Sequence, residues 1–173
     1  MTSHFRWLYI QVIIMVEPIY CEPGRLFCRT KRVMLPVDGS EGSARAAKIA
    51  YEIAEMAKAK LLVVHVINLG AVQQVATMSD TDIIVVLQRY MTNGRTLLEK
   101  YRAEAEEFGI DCELVLEKGL PSDKIVLLGR NRDVDIIVMG SEGATGDRRV
   151  GGGLGSSTER VVRRSRCPVL VVK

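Results

Sequence analysis

The pattern that most restricts this chain is a recurrence of short apolar runs, each followed by helical periodicity. Val33 to Val37 reads VMLPV, Leu61 to Ile67 reads LLVVHVI, Asp135 to Gly140 contains IIVM, and Pro168 opens VLVVK. Short runs without polar alternation fit strands covered on both faces. Asp111 to Lys118 adds a strand by alternation, with Cys112, Leu114 and Leu116 on one side and Glu113, Val115 and Glu117 on the other. Strands alternating with helices imply an α/β domain with a mostly parallel sheet. Right-handed crossovers then place helices on both faces.

The first strand ends in the turn cluster Asp38-Gly39-Ser40. Ser43 is the expected N-cap of a helix in which Ala46, Ala50, Ile53 and Ala57 share a face opposite Lys48, Glu52, Glu55 and Lys58. Asn68 to Thr81 reads as a loop. Asp82 to Phe108 reads as a long helix, strand-like in composition at IIVVL, and Gly109 is the expected stop. Ser122 is expected to cap a helix running to about Arg130, and Ser157 to Arg164 reads as a short helix.

With 173 residues, 47% hydrophobic and 26% charged, the chain fits one soluble domain of residues 31–173, with residues 1–30 as an N-terminal extension. A net charge of +3 is too small to argue for nucleic acid. Cys21, Cys28, Cys112 and Cys167 form no metal-ligand pairing and read as reduced thiols of a cytoplasmic protein. Trp7 to Val16 is apolar but too short to span a bilayer, which takes about 20 residues, and no small-residue cleavage site follows it. The extension reads as an added strand or helix packed on the domain, as a partner-binding or membrane-touching tail, or as a segment from an upstream start codon.

Between Gly140 and Gly155 lie seven of the 15 glycines. Glycines let backbone amides approach an anion, and the helix that follows adds unpaired N–H groups. Ser156, Ser157 and Thr158 add hydroxyls, and Arg148, Arg149, Arg160, Arg163, Arg164 and Arg166 outnumber the nearby carboxylates. The alternative is a flexible surface loop ahead of a basic helix. If the first and fourth strands are neighbours, this loop and Asp38-Gly39-Ser40 line one crevice. The chain has no G-x-x-x-x-G-K-[ST] and no G-x-G-x-x-G at its first strand-helix turn. His65 reads as a packed or half-exposed strand histidine without a catalytic partner.

KRVMLPVDGSEGS, LLVVHV and IIVMGSEG…GLGSSTERVVRRSRCPVLVVK resemble the universal stress protein family over Lys31 to Lys173. The resemblance implies a single open parallel five-stranded sheet in the order 3-2-1-4-5. The family's ATP binders share G-x2-G-x9-G-[ST]. Gly140 and Gly143 match its first half and Gly155-Ser156 its second, but eleven residues, Ala144 to Leu154, stand where nine are expected. The implied ligand is ATP, with Mg2+ or Mn2+. By that likeness Pro36 and Asp38 border the adenine and cation side, Val66 offers backbone groups to the base, and Met139 and Gly140 lie near the ribose. Gly143 lies near the phosphates, which Gly155, Ser156, Ser157 and Thr158 hold. The alternative for Asp38 is a turn residue capping the first helix. The likeness also implies a homodimer paired through Val169 to Val172, with no nucleic acid and no membrane. With no catalytic constellation in the sequence, the expected function is a nucleotide-dependent switch or sensor in stress response. The alternatives are a dimeric interaction module that binds no nucleotide, and a slow ATPase drawing on Asp38 or Glu142.

Overall fold

Each apolar run becomes a strand of one sheet in the computed structural model, which describes residues 29–143 and 154–173. The order along the chain is β1 (Arg32–Pro36), α1 (Glu41–Ala57), β2 (Lys60–Asn68), α2 (Leu69–Met78), α3 (Ile83–Glu107), β3 (Cys112–Gly119), α4 (Pro121–Asn131), β4 (Ile136–Gly140), α5 (Ser156–Arg164) and β5 (Val169–Val172). The strands pair in the order β3-β2-β1-β4-β5, as expected, and every pairing is parallel. Residues 1–28 and the glycine-rich stretch 144–153, including Arg148, Arg149 and the two additional loop residues, lie outside the described residues.

Alternate residues of each strand feed separate cores. Val33, Leu35, Leu61, Val63, Ile136 and Val138 pack with Ala46, Ala50 and Ile53 of α1 and with Leu98 and Ala105 of α3. Met34, Leu62, Val64, Ile137 and Met139 pack with Ile125 and Leu128 of α4 and with Val161 of α5. Both faces are dry, which is why these strands show no polar side. Each fully buried Leu or Ile stabilises the fold by about 1.5–3 kcal/mol relative to exposure. Asp135 closes the sheet's lower end: its carboxylate accepts the N–H groups of Lys31 and Arg32 at 2.7 and 2.9 Å, tying the start of β1 to β4.

Three expectations are corrected. Asn68 to Thr81 is not a loop, because its first ten residues after Asn68 form α2. Asn68 caps that helix, accepting the N–H groups of Gly70 and Ala71 at 3.0 and 3.4 Å, while Val72 and Ala76 pack against Ile67 and Val86. Ser43 does not cap α1. Ser40 does, accepting the Ser43 N–H at 3.1 Å. Ser43 lies buried inside the first turn, its hydroxyl donating to the Ser40 carbonyl at 2.9 Å and meeting the Tyr101 hydroxyl at 3.3 Å. Ser122 does not cap α4 either. Leu120 holds the cap position and Pro121 fills the first turn, where its missing N–H costs nothing. The apolar start of α3 is helical despite its composition, because Asp82 accepts the Ile84 N–H at 2.7 Å. At the other end Gly109 adopts φ +66°, a left-handed turn that ends the helix as expected.

Candidate functional site

The chain runs from β1 to β2 on one side of the sheet, and β4 returns on the other side of β1. Connections diverge to opposite faces at such a reversal and leave a crevice beyond the carboxyl ends of the strands. A cavity of about 430 Å³ lies there. Its wall is apolar where Val64 and Val66 of β2, Ala71 of α2, Ile125 of α4 and Met139 of β4 meet. Its rim is polar where Asp38, Glu142 and the start of α5 converge.

Two glycines bring the rim together. A Cβ on Gly140 would stand 2.6 Å from the carbonyl carbon of Gly42 and 2.8 Å from its oxygen. A Cβ on Gly42 would stand 2.7 Å from the Glu142 carbonyl oxygen. The first turn of α1 therefore rests directly on the backbone leaving β4. Asp38 faces that contact. Its Oδ1 accepts the N–H and the hydroxyl of Ser40 at 3.0 and 2.6 Å, a local turn that delivers Ser40 to its capping position. Its Oδ2 lies toward Gly143, where a Cβ would come within 3.0 Å. Asp38 thus serves the turn and lines the cavity at once.

The start of α5 supplies the donors. Gly155 is its N-cap and has no side chain to satisfy the first-turn amides of Ser156, Ser157 and Thr158. Amides in that position carry a partial positive charge. Ser141 fixes where this end sits: its carbonyl accepts the Gly155 N–H at 2.8 Å, and its own N–H donates to the Val172 carbonyl at 2.8 Å. Thr158 is buried, and its hydroxyl donates to the Gly140 carbonyl at 2.9 Å. What Thr158 offers the cavity is its backbone N–H. The expected field from arginine side chains is corrected for the described arginines, Arg148 and Arg149 lying outside the described residues. Arg163 and Arg164 occupy the last turn of α5 and pair with Glu159 and Asp123, and no described arginine lines the cavity. The anion-attracting character of the described rim resides in the backbone.

His65 forms part of the wall. Its Nδ1 lies 2.8 Å from the Val37 carbonyl oxygen. A carbonyl only accepts, so Nδ1 carries the proton and donates. Gly94 lets α3 lie against this ring: a Cβ there would stand 2.8 Å from His65 Cδ2 and 2.9 Å from Leu116 Cδ1. Among the described residues no three His, Cys, Asp or Glu side chains are grouped to hold a metal ion.

All ten residues singled out in the sequence line this one cavity: Pro36, Asp38, Val66, Met139, Gly140, Gly143, Gly155, Ser156, Ser157 and Thr158. Sequence reasoning missed Asn68, Ala71, Tyr90, Pro121 and Ile125 in its lining, and the close approach of Gly42 behind its rim. Tyr90 had a signal, since Val86, Tyr90 and Gly94 repeat at four-residue steps along α3. Ala71 and Asn68 had none, because their helix was not foreseen. No helix among the described residues is long and apolar enough to cross a membrane.

The model of the universal stress protein family matches residues 29–173. The chain is 34% identical over 143 residues to universal stress protein MJ0531 of Methanocaldococcus jannaschii, covering 83% of this chain and 82% of that one. The solved structure of MJ0577 from the same organism superposes with a TM-score of 0.73 at 28% identity, over 83% of this chain and 96% of that one. A universal stress protein solved in complex with cAMP superposes with a TM-score of 0.58 at 27% identity, over 83% of this chain and 96% of that one. The strand order, the crevice at the reversal point and these matches agree: the chain belongs to the universal stress protein family.

Proposed function

We propose that the crevice binds an adenine nucleotide, ATP accompanied by Mg2+ or Mn2+, and that the protein acts in the cytoplasm as a nucleotide-dependent switch or sensor in stress response. The observation that carries this reading is the joining, in one cavity, of an apolar wall to the uncapped amides of α5. An apolar slot suits a base, and a helix N-terminus suits a phosphate. In this reading Val66 faces the base with Pro36 beside it, and Met139 and Gly140 border the ribose. Gly143, Gly155, Ser156, Ser157 and the Thr158 amide take the phosphates. Asp38 offers a carboxylate to a divalent ion, which prefers oxygen ligands. The relative solved with cAMP supports the ligand class.

The longer spacing between Gly143 and Gly155 is compatible with this reading. The Gly155–Ser141 hydrogen bond closes the loop at its base. Lengthening such a loop by two residues costs only about 0.15 kcal/mol of closure entropy. A tenfold loss of affinity corresponds to about 1.4 kcal/mol. We also place a homodimer contact at β5, an edge strand whose four apolar residues are only half-buried.

Titration calorimetry with ATP, with and without Mg2+, tests the nucleotide reading. Saturable binding that Mg2+ alters is expected, and no binding at millimolar nucleotide refutes it. Light scattering tests the edge contact separately, and a monomer at micromolar concentration rules it out.

A further inference from the structure

Six of the eleven large apolar side chains exposed on the described surface cluster on one hairpin: Leu69, Val75 and Met78 of α2, and Ile83, Ile84 and Val85 in the first turn of α3. The remaining five are distributed over α1, α4, α5 and two chain turns. A concentration of this kind marks a surface that meets a partner. We propose that the side of this hairpin carrying Val75 and Met78, three residues apart on α2, together with the first turn of α3, is the docking surface for the chain's own residues 7–16, WLYIQVIIMV.

Three observations favour that occupant. The segment is matched in chemistry, an apolar run with Trp7, Tyr9 and three isoleucines. It reaches: residues 17–29 span up to about 45 Å when extended. Arg32 pairs with Lys60 at the lower end of the sheet, and α2 begins beyond Asn68, nine residues up β2, a rise of about 30 Å. The charges also complement one another. Arg6 precedes the run, and Asp80 and Asp82, both exposed, stand in the turn that joins α2 to α3. The inference does not depend on the nucleotide reading.

Trp7 is the chain's single tryptophan and reports directly. In the full-length protein its emission should be blue-shifted and shielded from acrylamide. Met78→Glu with Ile84→Glu, at positions 80% and 61% exposed, should leave the circular dichroism unchanged. The same pair should shift the emission to the red and raise quenching several-fold. Ile13→Glu, within the docking segment itself, should speed hydrogen exchange across residues 69–85 and provides the test should the double variant fail to fold. Quenching of the wild type like that of free indole, or no response to either change, overturns the proposal. So does a blue shift that grows with protein concentration and is lost on dilution as a dimer dissociates, which assigns the face to a second copy. A blue shift that appears only with anionic vesicles assigns it to a membrane and overturns the proposal equally.

Discussion

Replacing Gly140 with alanine isolates the contact on which the rim of the cavity is built. Gly140 is not among the glycines with positive φ, so alanine meets no backbone penalty there. The added methyl group would lie 2.6, 2.8 and 3.0 Å from three backbone atoms of Gly42, none of which can rotate aside. Relief requires the first turn of α1 to lift from β4. Overpacking of this sort costs about 1–3 kcal/mol, and the stiffer unfolded chain returns about 0.4–1 kcal/mol. Because the clash is with fixed backbone, the upper part of that cost applies, about 2–3 kcal/mol, and the net loss is about 1–2.6 kcal/mol, a melting temperature lower by about 2–10 °C in a chain of this size. Gly129→Ala in α4 is the control, since its methyl group meets only Ile137 Cδ1 at 3.6 Å. It should gain about 0.4–1 kcal/mol. Urea and thermal unfolding followed by circular dichroism measure both. A Gly140→Ala protein as stable as the wild type, beside a stabilised Gly129→Ala, would refute the claim that these backbones touch.

Thr158→Val removes a buried hydroxyl and leaves the Gly140 carbonyl without its donor; a loss of about 1–3 kcal/mol in urea unfolding is expected. Ser122 is buried, and its hydroxyl has no hydrogen-bond partner among the described residues, so Ser122→Ala should be neutral or slightly stabilising in the same assay. Burial pushes the Cys112 thiol up to about 11 and raises Tyr51 and Tyr101 above the ordinary tyrosine value, with Glu104 adding to both. In each case the fold keeps a proton that the unfolded chain releases. The thiol's contribution is therefore complete below the ordinary thiol range and is lost as pH rises through about 11, while that of the tyrosines begins to fall only above the ordinary phenol range. The urea midpoint should fall steadily above the thiol range, and Cys112→Ala should remove the thiol's part of the slope.

The strands were legible because both faces of the sheet are covered. Val33, Leu61 and Ile137 had no wet side to advertise a different period. The reversal point followed from the topology, and with it the meeting of Asp38 with the loop after Gly140. Caps were harder to read, because Ser40 and Ser43 are chemically the same and only the depth of Ser43 beneath Tyr101 distinguishes them. Helix α2 was hidden by its short length and by Gly70 in its first turn; it exists because Asn68 caps it and Ile67 offers a floor. The arginines of α5 misled for a related reason. Sequence proximity placed them beside the cavity, whereas about two turns of helix carry Arg163 and Arg164 to its far end.

Ser141 is bonded on both sides of one residue, its N–H to the last residue of the edge strand and its carbonyl to the cap of α5. A single residue is thus the joint between the sheet's open margin and the donor end of the helix. Sliding of β5 along β4, as when another strand is added to that margin, would disturb the cores that Leu170, Val172 and Val169 touch, and through Ser141 it would also pull directly on the donor end of α5. The same joint works in reverse, so that whatever tightens the grip of Gly155 also stiffens the sheet's last strand.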